Sequence, residues 1–183
     1  MPDRQGLKPA RVFLALWPNA ALRKRLTAAA GRLHQALDGR PTRPDTIHLT
    51  LVFIGNLARG RLAELVQALH SLSAVGFEAV FDQAECWRHN RIGFLAPNLA
   101  PEGLFQLVSM LETRLEQMAI PFDRRPYKPH ITLLRQAHCP GECPAAGLDC
   151  EPIEWPAKDF VLVESVASPE GASYRILERY PLL

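Results

Sequence analysis

The chain has 183 residues, which is enough for one domain of ordinary size or two small lobes and too few for a multidomain assembly. Apolar residues make up 48% and charged residues 22%, so the composition is that of a compact globular protein and excludes a disordered, fibrous or coiled-coil chain. The formal net charge is only +2, so an anionic partner must be bound by a local cluster of charge rather than by the chain as a whole.

The first half of the chain alternates strands with amphipathic helices. A nearly continuous apolar run at residues 11–17 predicts a strand that is buried on both faces. Apolar residues at helical spacing follow an N-cap at Asn19 and end at Gly39, which predicts a helix. Residues 46–54 are rich in β-branched and aromatic side chains and predict a second strand, and a second helix covers about residues 61–72.

The second half repeats this alternation with more strands. Its predicted elements are, in chain order, a β-hairpin formed by residues 77–87 and 92–96 around a polar turn, a helix between Pro101 and Pro121, and strands at 129–135, 160–166 and 174–180. The fold class predicted from both halves is α+β.

Neither a membrane span nor a secretory leader is apparent in the sequence. No apolar run reaches the length that crosses a bilayer, and the first ten residues are polar and contain two prolines. We therefore expect a cytoplasmic chain with no membrane partner. We also expect the protein to be a monomer.

The sequence contains four cysteines. If the protein is cytoplasmic, its compartment is reducing and structural disulfides are rare, so we expect free thiols at Cys86, Cys139, Cys143 and Cys150. His138 and the last three cysteines could form a zinc site, although their intervals match none of the common two-residue zinc knuckles. The alternative is a surface loop rich in Pro and Gly that carries thiols.

An internal repeat is the most informative feature of the sequence. The segment His48-Leu49-Thr50-Leu51 matches His130-Ile131-Thr132-Leu133 at an offset of 130 minus 48, or 82. The same offset aligns the apolar positions of the two long helices, so each half has a helix, a polar connection and a strand that carries His-x-Thr. Two copies related by an approximate two-fold axis could bring these strands together across a cleft.

The strand period places each imidazole beside a hydroxyl. Alternate side chains of a strand lie on the same face, so His48 and Thr50 point the same way, roughly 6.5 Å apart along the chain. His130 and Thr132 repeat this arrangement, while the apolar residues between them point to the opposite, buried face. The pattern is typical of a site built on rigid elements.

Two imidazoles and two hydroxyls suit phosphoryl transfer at a phosphodiester. A neutral His can take the proton of the attacking oxygen while a protonated His gives a proton to the leaving oxygen, and a pKa near about 6.5 permits both forms. The Thr hydroxyls can donate hydrogen bonds to the non-bridging oxygens. Nearby cations that could balance the substrate charge are Arg135 and, further upstream, Arg124, Arg125 and Lys128.

These twin motifs, with Pro129 before His130 and Arg135 after it, resemble those of the 2H phosphoesterase superfamily. Residues 11–16, 46–55, 122–135 and 174–183 are similar to its bacterial RNA 2',3'-cyclic phosphodiesterase branch, also called 2'-5' RNA ligase. The resemblance implies one two-lobed catalytic domain over residues 1–183, with repeat halves at roughly 11–90 and 91–183. It further implies two mostly antiparallel sheets that face a central cleft, with helices outside.

The same resemblance implies an activity and residue roles. The implied reaction is hydrolysis of a 2',3'-cyclic phosphate at an RNA end to a 2'-phosphate, with 2'-5' ligation as the reverse chemistry and with no ATP or metal. The matching positions are His48 as general acid, His130 as general base, Thr50 and Thr132 as phosphate-binding residues, Arg135 as an aid at the phosphate and Phe53 as a nucleotide contact. Strict alternation places Phe53 on the face opposite His48, so it contacts substrate only if a bulge or the strand end reorients it; otherwise it is a core residue.

Three other functions are compatible with the motifs. A noncatalytic protein could bind RNA ends in the same cleft, although it would not need both imidazoles and both hydroxyls. A metal-dependent hydrolase could use His48 and His130 as ligands, but neither motif contains a carboxylate. A related enzyme could act on 2'-5' oligoadenylate, a cyclic nucleotide or an ADP-ribose cyclic phosphate with the same four residues.

Overall fold

A computed structural model describes residues 8–139, 151–168 and 171–183. The elements in chain order are β1 Ala10–Leu16, α1 Ala20–Leu37, β2 Arg40–Pro41, β3 Leu49–Leu57, α2 Leu62–His70, β4 Phe77–Phe81, β5 Gln83–Trp87, β6 Ile92–Ala96, α3 Glu102–Gln117, β7 Ile131–Arg135, β8 Ile153–Ala157, β9 Asp159–Ser168 and β10 Gly171–Pro181. Short 3-10 turns precede β3 and α2.

The strands form one large sheet and one small sheet. The large sheet has the order β10-β9-β1-β3-β7-β6-β5, with β2 also paired to β7, and the small sheet contains β4 and β8. Every pairing is antiparallel. Strands β3 and β7 meet at the single register pair Leu49 and Ile131, so the large sheet consists of two wings that join between the two motif strands. The predicted α+β fold with antiparallel sheets is confirmed.

The long helices bury the apolar positions that aligned in the repeat. In α1, Leu22, Leu26 and Leu33 are buried, and their counterparts in α3 are buried as well. The N-cap prediction at Asn19 is confirmed, because its Oδ1 accepts a hydrogen bond of 2.9 Å from the backbone N–H of Leu22. Helix α1 packs on β7 and α3 on β3, so each helix supports the motif strand of the other half.

The predicted strands differ from the structure in two places. The segment 77–87 is not one strand, because it divides at Asp82 into β4 in the small sheet and β5 in the large sheet. The Asp82 Oδ1 accepts a hydrogen bond of 2.7 Å from the backbone N–H of Asn98, which is typical of an Asp that interrupts a strand locally. Strand β8, Ile153–Ala157, was not among the predicted strands.

Strand β3 extends beyond its predicted end. Gly55 and Asn56, which follow the predicted strand 46–54, lie within β3 and pair with β1. The pairing of β3 with β1 shifts by one residue here, since Val12 pairs with Gly55 and Phe13 pairs with Phe53. Gly55 adopts a φ of 81°. Glycine occupies this left-handed region without a Cβ penalty, so the chain can form an irregularity and continue pairing.

The cysteines differ from the expectation of free thiols. Cys86 and Cys139 form a disulfide with a Cα–Cα distance of 5.6 Å, which joins β5 to the segment after β7. The sulfur of Cys139 is therefore not a free thiolate ligand for zinc, while Cys143 and Cys150 lie outside the described residues. Within the described ranges, no group of three or more His, Cys, Asp or Glu is placed to hold a metal ion. No helix in those ranges is long and apolar enough to cross a membrane.

Candidate active site

The two His-x-Thr motifs meet where the wings join. Leu49 and Ile131 are antiparallel partners, and continuing this register places His48 opposite Thr132 and His130 opposite Thr50. Each imidazole therefore neighbours the hydroxyl of the other motif. All four side chains line one cavity of about 810 Å³. The structure thus brings together the four residues that the repeat singled out.

Each imidazole is oriented by a backbone carbonyl two residues before it. The Nδ1 of His48 is 2.7 Å from the carbonyl oxygen of Thr46, and the Nδ1 of His130 is 2.7 Å from the carbonyl oxygen of Lys128. A carbonyl oxygen can only accept, so Nδ1–H is the donor in both rings and Nε2 remains available for a ligand. The same hydrogen bond occurs in both halves at the repeat offset.

A β-bulge in β3 turns Phe53 into the cavity. Thr50 and Val52 have consecutive partners on β1, so Leu51 is the extra residue. The alternation of side chains restarts after this bulge, which returns Phe53 to the face that carries His48. Phe53 lines the cavity, and the alternation that assigned it to the opposite face does not hold across the bulge.

An equivalent bulge occurs in β7. Thr132 and Leu134 have consecutive partners on β6, so Leu133 is the extra residue. The bulge brings Arg135 to the cavity wall in the same way that its counterpart brings Phe53. The two bulges occupy equivalent positions in the repeat, and each reorients the third residue after the motif threonine.

Aromatic rings enclose both imidazoles. The ring of His48 stacks on Trp17 at a centroid distance of 5.4 Å and an interplanar angle of 9°, and Tyr174 meets it edge-on at 5.3 Å. Trp87 meets the ring of His130 edge-on at 4.6 Å. These contacts restrict both rings and remove much of their surface from water.

Burial makes both histidines weak bases. It lowers the pKa of His48 to about 4, with smaller contributions from the charges of Arg135 and His130, and against the opposing effect of the Thr46 carbonyl. Burial also lowers the pKa of His130, again opposed by the hydrogen bond to the carbonyl of Lys128. Both rings are therefore neutral at pH 7, and each Nε2 is an acceptor.

The cavity wall is strongly basic although the chain is nearly neutral. It contains Arg11, Arg40, Arg43 and Arg135, and no Asp or Glu is among the described residues that line it. Asp45 orients Arg43 through hydrogen bonds of 3.1 Å from Nε and 2.5 Å from Nη2. A wall of this kind attracts anions through local charge.

Other cations proposed from the sequence lie elsewhere. Arg124 pairs with Glu116 at 2.6 Å, and Arg125 pairs with Asp123. Neither residue lines the cavity, and Lys128 contributes its carbonyl oxygen rather than a charge. Sequence reasoning missed Arg11, Arg40 and Arg43. Pairing between distant strands brings Arg11 and Arg40 to the cavity, and Arg43 lies two residues beyond the end of β2.

A family model described as LigT like Phosphoesterase matches residues 16–94 and again residues 95–174. The chain belongs to this LigT-like phosphoesterase family. This match confirms the resemblance to the 2H phosphoesterases and the prediction that the protein is an enzyme.

The LigT-like phosphoesterase matches named relatives over nearly its whole length. It is 29% identical over 175 residues to the RNA 2',3'-cyclic phosphodiesterase of Escherichia coli strain K12, which covers 96% of this chain and 98% of the relative. It is 28% identical over 187 residues to the protein of the same name from Thermus thermophilus, covering 94% and 90%. The crystal structure of E. coli LigT in apo form superposes with a TM-score of 0.82 at 28% identity, covering 96% of this chain and 99% of that chain. A structure of E. coli LigT complexed with 3'-AMP gives a TM-score of 0.81 at 27% identity, covering 96% and 99%.

Proposed function

We propose that this LigT-like phosphoesterase hydrolyses the 2',3'-cyclic phosphate at RNA ends to a 2'-phosphate. The observation that carries the proposal is the matched orientation of His48 and His130, each with Nδ1 bonded to a carbonyl and each lining the same arginine-rich cavity. The names of the E. coli and T. thermophilus relatives support the choice of substrate.

In the proposed reaction one imidazole accepts a proton as the general base and the other donates a proton as the general acid. The Nε2 of His130 accepts a proton from water as the water oxygen forms a bond to phosphorus, and the bond from phosphorus to the 3' oxygen breaks. The Nε2–H of His48 gives a proton to that departing oxygen, which leaves a 3'-hydroxyl and a 2'-phosphate. As the product leaves, His130 gives its proton to solvent, both rings are neutral again, and His48 takes up a proton from solvent when the next substrate binds.

The low pKa of His48 has to rise before it can act as an acid. The cyclic phosphodiester carries one negative charge, and an adjacent anion favours the imidazolium form. Substrate binding therefore raises the pKa of His48 above its value of about 4 in the free protein. The proton needed by the leaving oxygen is taken up together with the substrate.

The remaining predicted residues bind the substrate. Thr50 and Thr132 donate hydrogen bonds to the two non-bridging oxygens, and Arg135 balances the charge that develops on them. Phe53 offers a ring to the terminal nucleoside. The reaction then requires neither a metal ion nor ATP, and 2'-5' ligation follows if an RNA 5'-hydroxyl replaces water as the attacking group.

The test is turnover of a short RNA that ends in a 2',3'-cyclic phosphate, with chelator present and with product identified by phosphorus NMR. We expect a 2'-phosphate, and we expect His48→Ala and His130→Ala each to reduce turnover by about 100- to 10,000-fold, the range of a lost acid or base. His34→Ala, which replaces an exposed imidazole on α1, is the matched control and should retain full turnover.

Several outcomes would overturn the proposal. A 3'-phosphate product would contradict the bond cleavage, and loss of turnover in chelator would contradict metal independence. Binding of the RNA end without turnover would favour a noncatalytic end-binding protein. Selective turnover of 2'-5' oligoadenylate or of another cyclic phosphate in place of the RNA end would reassign the substrate while keeping the chemistry.

A further inference from the structure

The cavity has two chemically different ends on either side of the motifs. One end presents the ring of Phe53, with the guanidinium of Arg11 lying 4.9 Å from the ring centroid. The other end presents Arg40, Arg43 and Arg135. Asp45 pairs with Arg43, and the three other arginines still exceed the single negative charge of a cyclic phosphodiester, so the cavity can hold a second anion.

Two of these arginines face each other directly. Arg40 on β2 is the register partner of Arg135 on β7. Like charges in directly opposed positions destabilise an antiparallel pair, and neither side chain forms a hydrogen bond or ion pair within the part of the chain that the structure describes. A phosphate bound by Arg40 would offset this repulsion with charge-assisted hydrogen bonds, while Arg135 serves the phosphate between the histidines.

A buried hydroxyl without a partner lies beside them. The Oγ1 of Thr42 is shielded from solvent and neither accepts nor donates a hydrogen bond among the described residues. The backbone N–H of Thr42 donates to the carbonyl of Leu133 at 2.8 Å, which holds this residue against β7 at the cavity wall. A shielded hydroxyl that lacks a partner costs free energy, and a phosphate oxygen would satisfy it.

This second anion is displaced from the catalytic centre. Arg40 is level with Arg135, four residues along β7 from the pairing of Leu49 with Ile131, which corresponds to roughly 13 Å along the strand. Arg135 lines the same cavity wall as His48, and its charge contributes to the low pKa of that imidazole. Arg40 therefore extends the basic surface away from the phosphate that the two histidines would hold.

We propose that residues 40–43, the arginine strap, bind the phosphate on the 5' side of the terminal nucleoside. Arg40, Thr42 and Arg43 are the contacts, and they make the enzyme select RNA over a cyclic mononucleotide. The inference rests on the proposed function, which puts the terminal phosphate between the histidines. With the terminal base at Phe53, the next phosphate of the chain extends toward the opposite, arginine-lined end.

The experiment compares dinucleotides that end in a 2',3'-cyclic phosphate and have either an ordinary internal phosphodiester or an uncharged methylphosphonate. We expect the wild-type kcat/KM to be at least about tenfold higher for the charged dinucleotide, and Arg40→Gln to reduce this ratio about tenfold. Arg32→Gln, an exposed arginine on α1 outside the cavity wall, is the matched control and should leave the ratio unchanged. Thr42→Val, which removes only the hydroxyl, should reduce the ratio about threefold.

A binding measurement tests the arginine strap independently of the proposed reaction. Calorimetry with the two dinucleotides ending in a 2'-phosphate gives the same charge preference without any turnover. A chain that fails to turn over the cyclic ends but prefers the charged ligand, with loss of the preference in Arg40→Gln, would refute the proposed reaction and support the strap. Equal affinity of the wild type for both ligands, or an equal effect of Arg40→Gln on both, would overturn the strap proposal.

A cyclic mononucleotide that carries a 5'-phosphate distinguishes the two sources of such an anion. Binding as tight as that of the charged dinucleotide would mean that the strap accepts a terminal phosphate, which would overturn its role in selecting RNA. Weaker binding would support recognition of an internal phosphodiester.

Discussion

The burial of His48 predicts that the folded chain loses stability in mild acid. The pKa of this imidazole is about 4 in the folded chain and about 6.5 in the unfolded chain. Between pH 6.5 and 5 the unfolded ring takes up a proton while the folded ring stays largely neutral, so the unfolded state gains about 1.4 kcal/mol for each pH unit. The contribution of His48 to the free energy of unfolding is therefore fully present above pH 6.5 and decreases as the pH falls. At pH 5 it is smaller by about 2 kcal/mol.

Urea unfolding of wild type and His48→Gln at pH 7 and pH 5 measures this contribution. The glutamine does not titrate, so the stability of the variant should fall between the two pH values by about 2 kcal/mol less than that of the wild type. His34→Gln is the control for an exposed histidine and should behave as the wild type does. Equal pH dependence of wild type and His48→Gln, or an NMR titration that places the pKa of His48 near 6.5, would refute the reasoning.

Three further predictions, the first with a control variant, concern the stability of the fold. Gly39 has a φ of 89°, and a Cβ there would lie 2.9 Å from backbone atoms of Ala137, so Gly39→Ala should lower the free energy of unfolding by about 2 kcal/mol or more. Gly31→Ala, where a Cβ meets nothing within 4 Å, should not be destabilising. Glu164 has a side chain that is 4% exposed and pairs with two arginines, so Glu164→Gln should cost about 3 kcal/mol. Cys86→Ser removes a disulfide between residues 53 positions apart and should cost about 4 kcal/mol in urea unfolding without reductant.

The outcomes that would contradict these three predictions are distinct. Equal effects at Gly39 and Gly31 would mean that the positive φ and the close approach to Ala137 cost nothing. An unchanged urea midpoint for Glu164→Gln would mean that the buried carboxylate does not need its charge. A wild-type chain whose unfolding is unaffected by a strong reductant would contradict a stabilising disulfide.

The motif residues were predictable because the repeat is visible without any knowledge of tertiary contacts. His48 and His130 have matching sequence neighbours, and each follows an amphipathic helix at the same distance. The alternation of side chains along a strand is then enough to place each histidine beside its threonine. The orientation of Phe53 was not predictable in this way. A bulge depends on how β3 pairs with β1, and no local pattern in β3 reveals it.

The arginine strap and β8 could not be predicted from the sequence for a similar reason. Arg40 lies at the cavity because β2 pairs with β7, a contact between residues that are far apart in sequence. Strand β8 contains Pro156 and, among the described residues, pairs with β4 alone, although Ile153, Trp155 and Ala157 alternate as buried positions. That alternation was the available signal for the missed strand.

The central claim is that the two His-x-Thr motifs hold one phosphate between them. Nitrogen NMR of the two imidazoles during a titration with adenosine 2'-phosphate tests it most directly. We predict that the Nε2 signals of His48 and His130 shift along a single binding curve that saturates at one ligand per chain, with a rise in the pKa of His48. Signals that shift with different midpoints, or a ligand that moves only one of them, would contradict the claim.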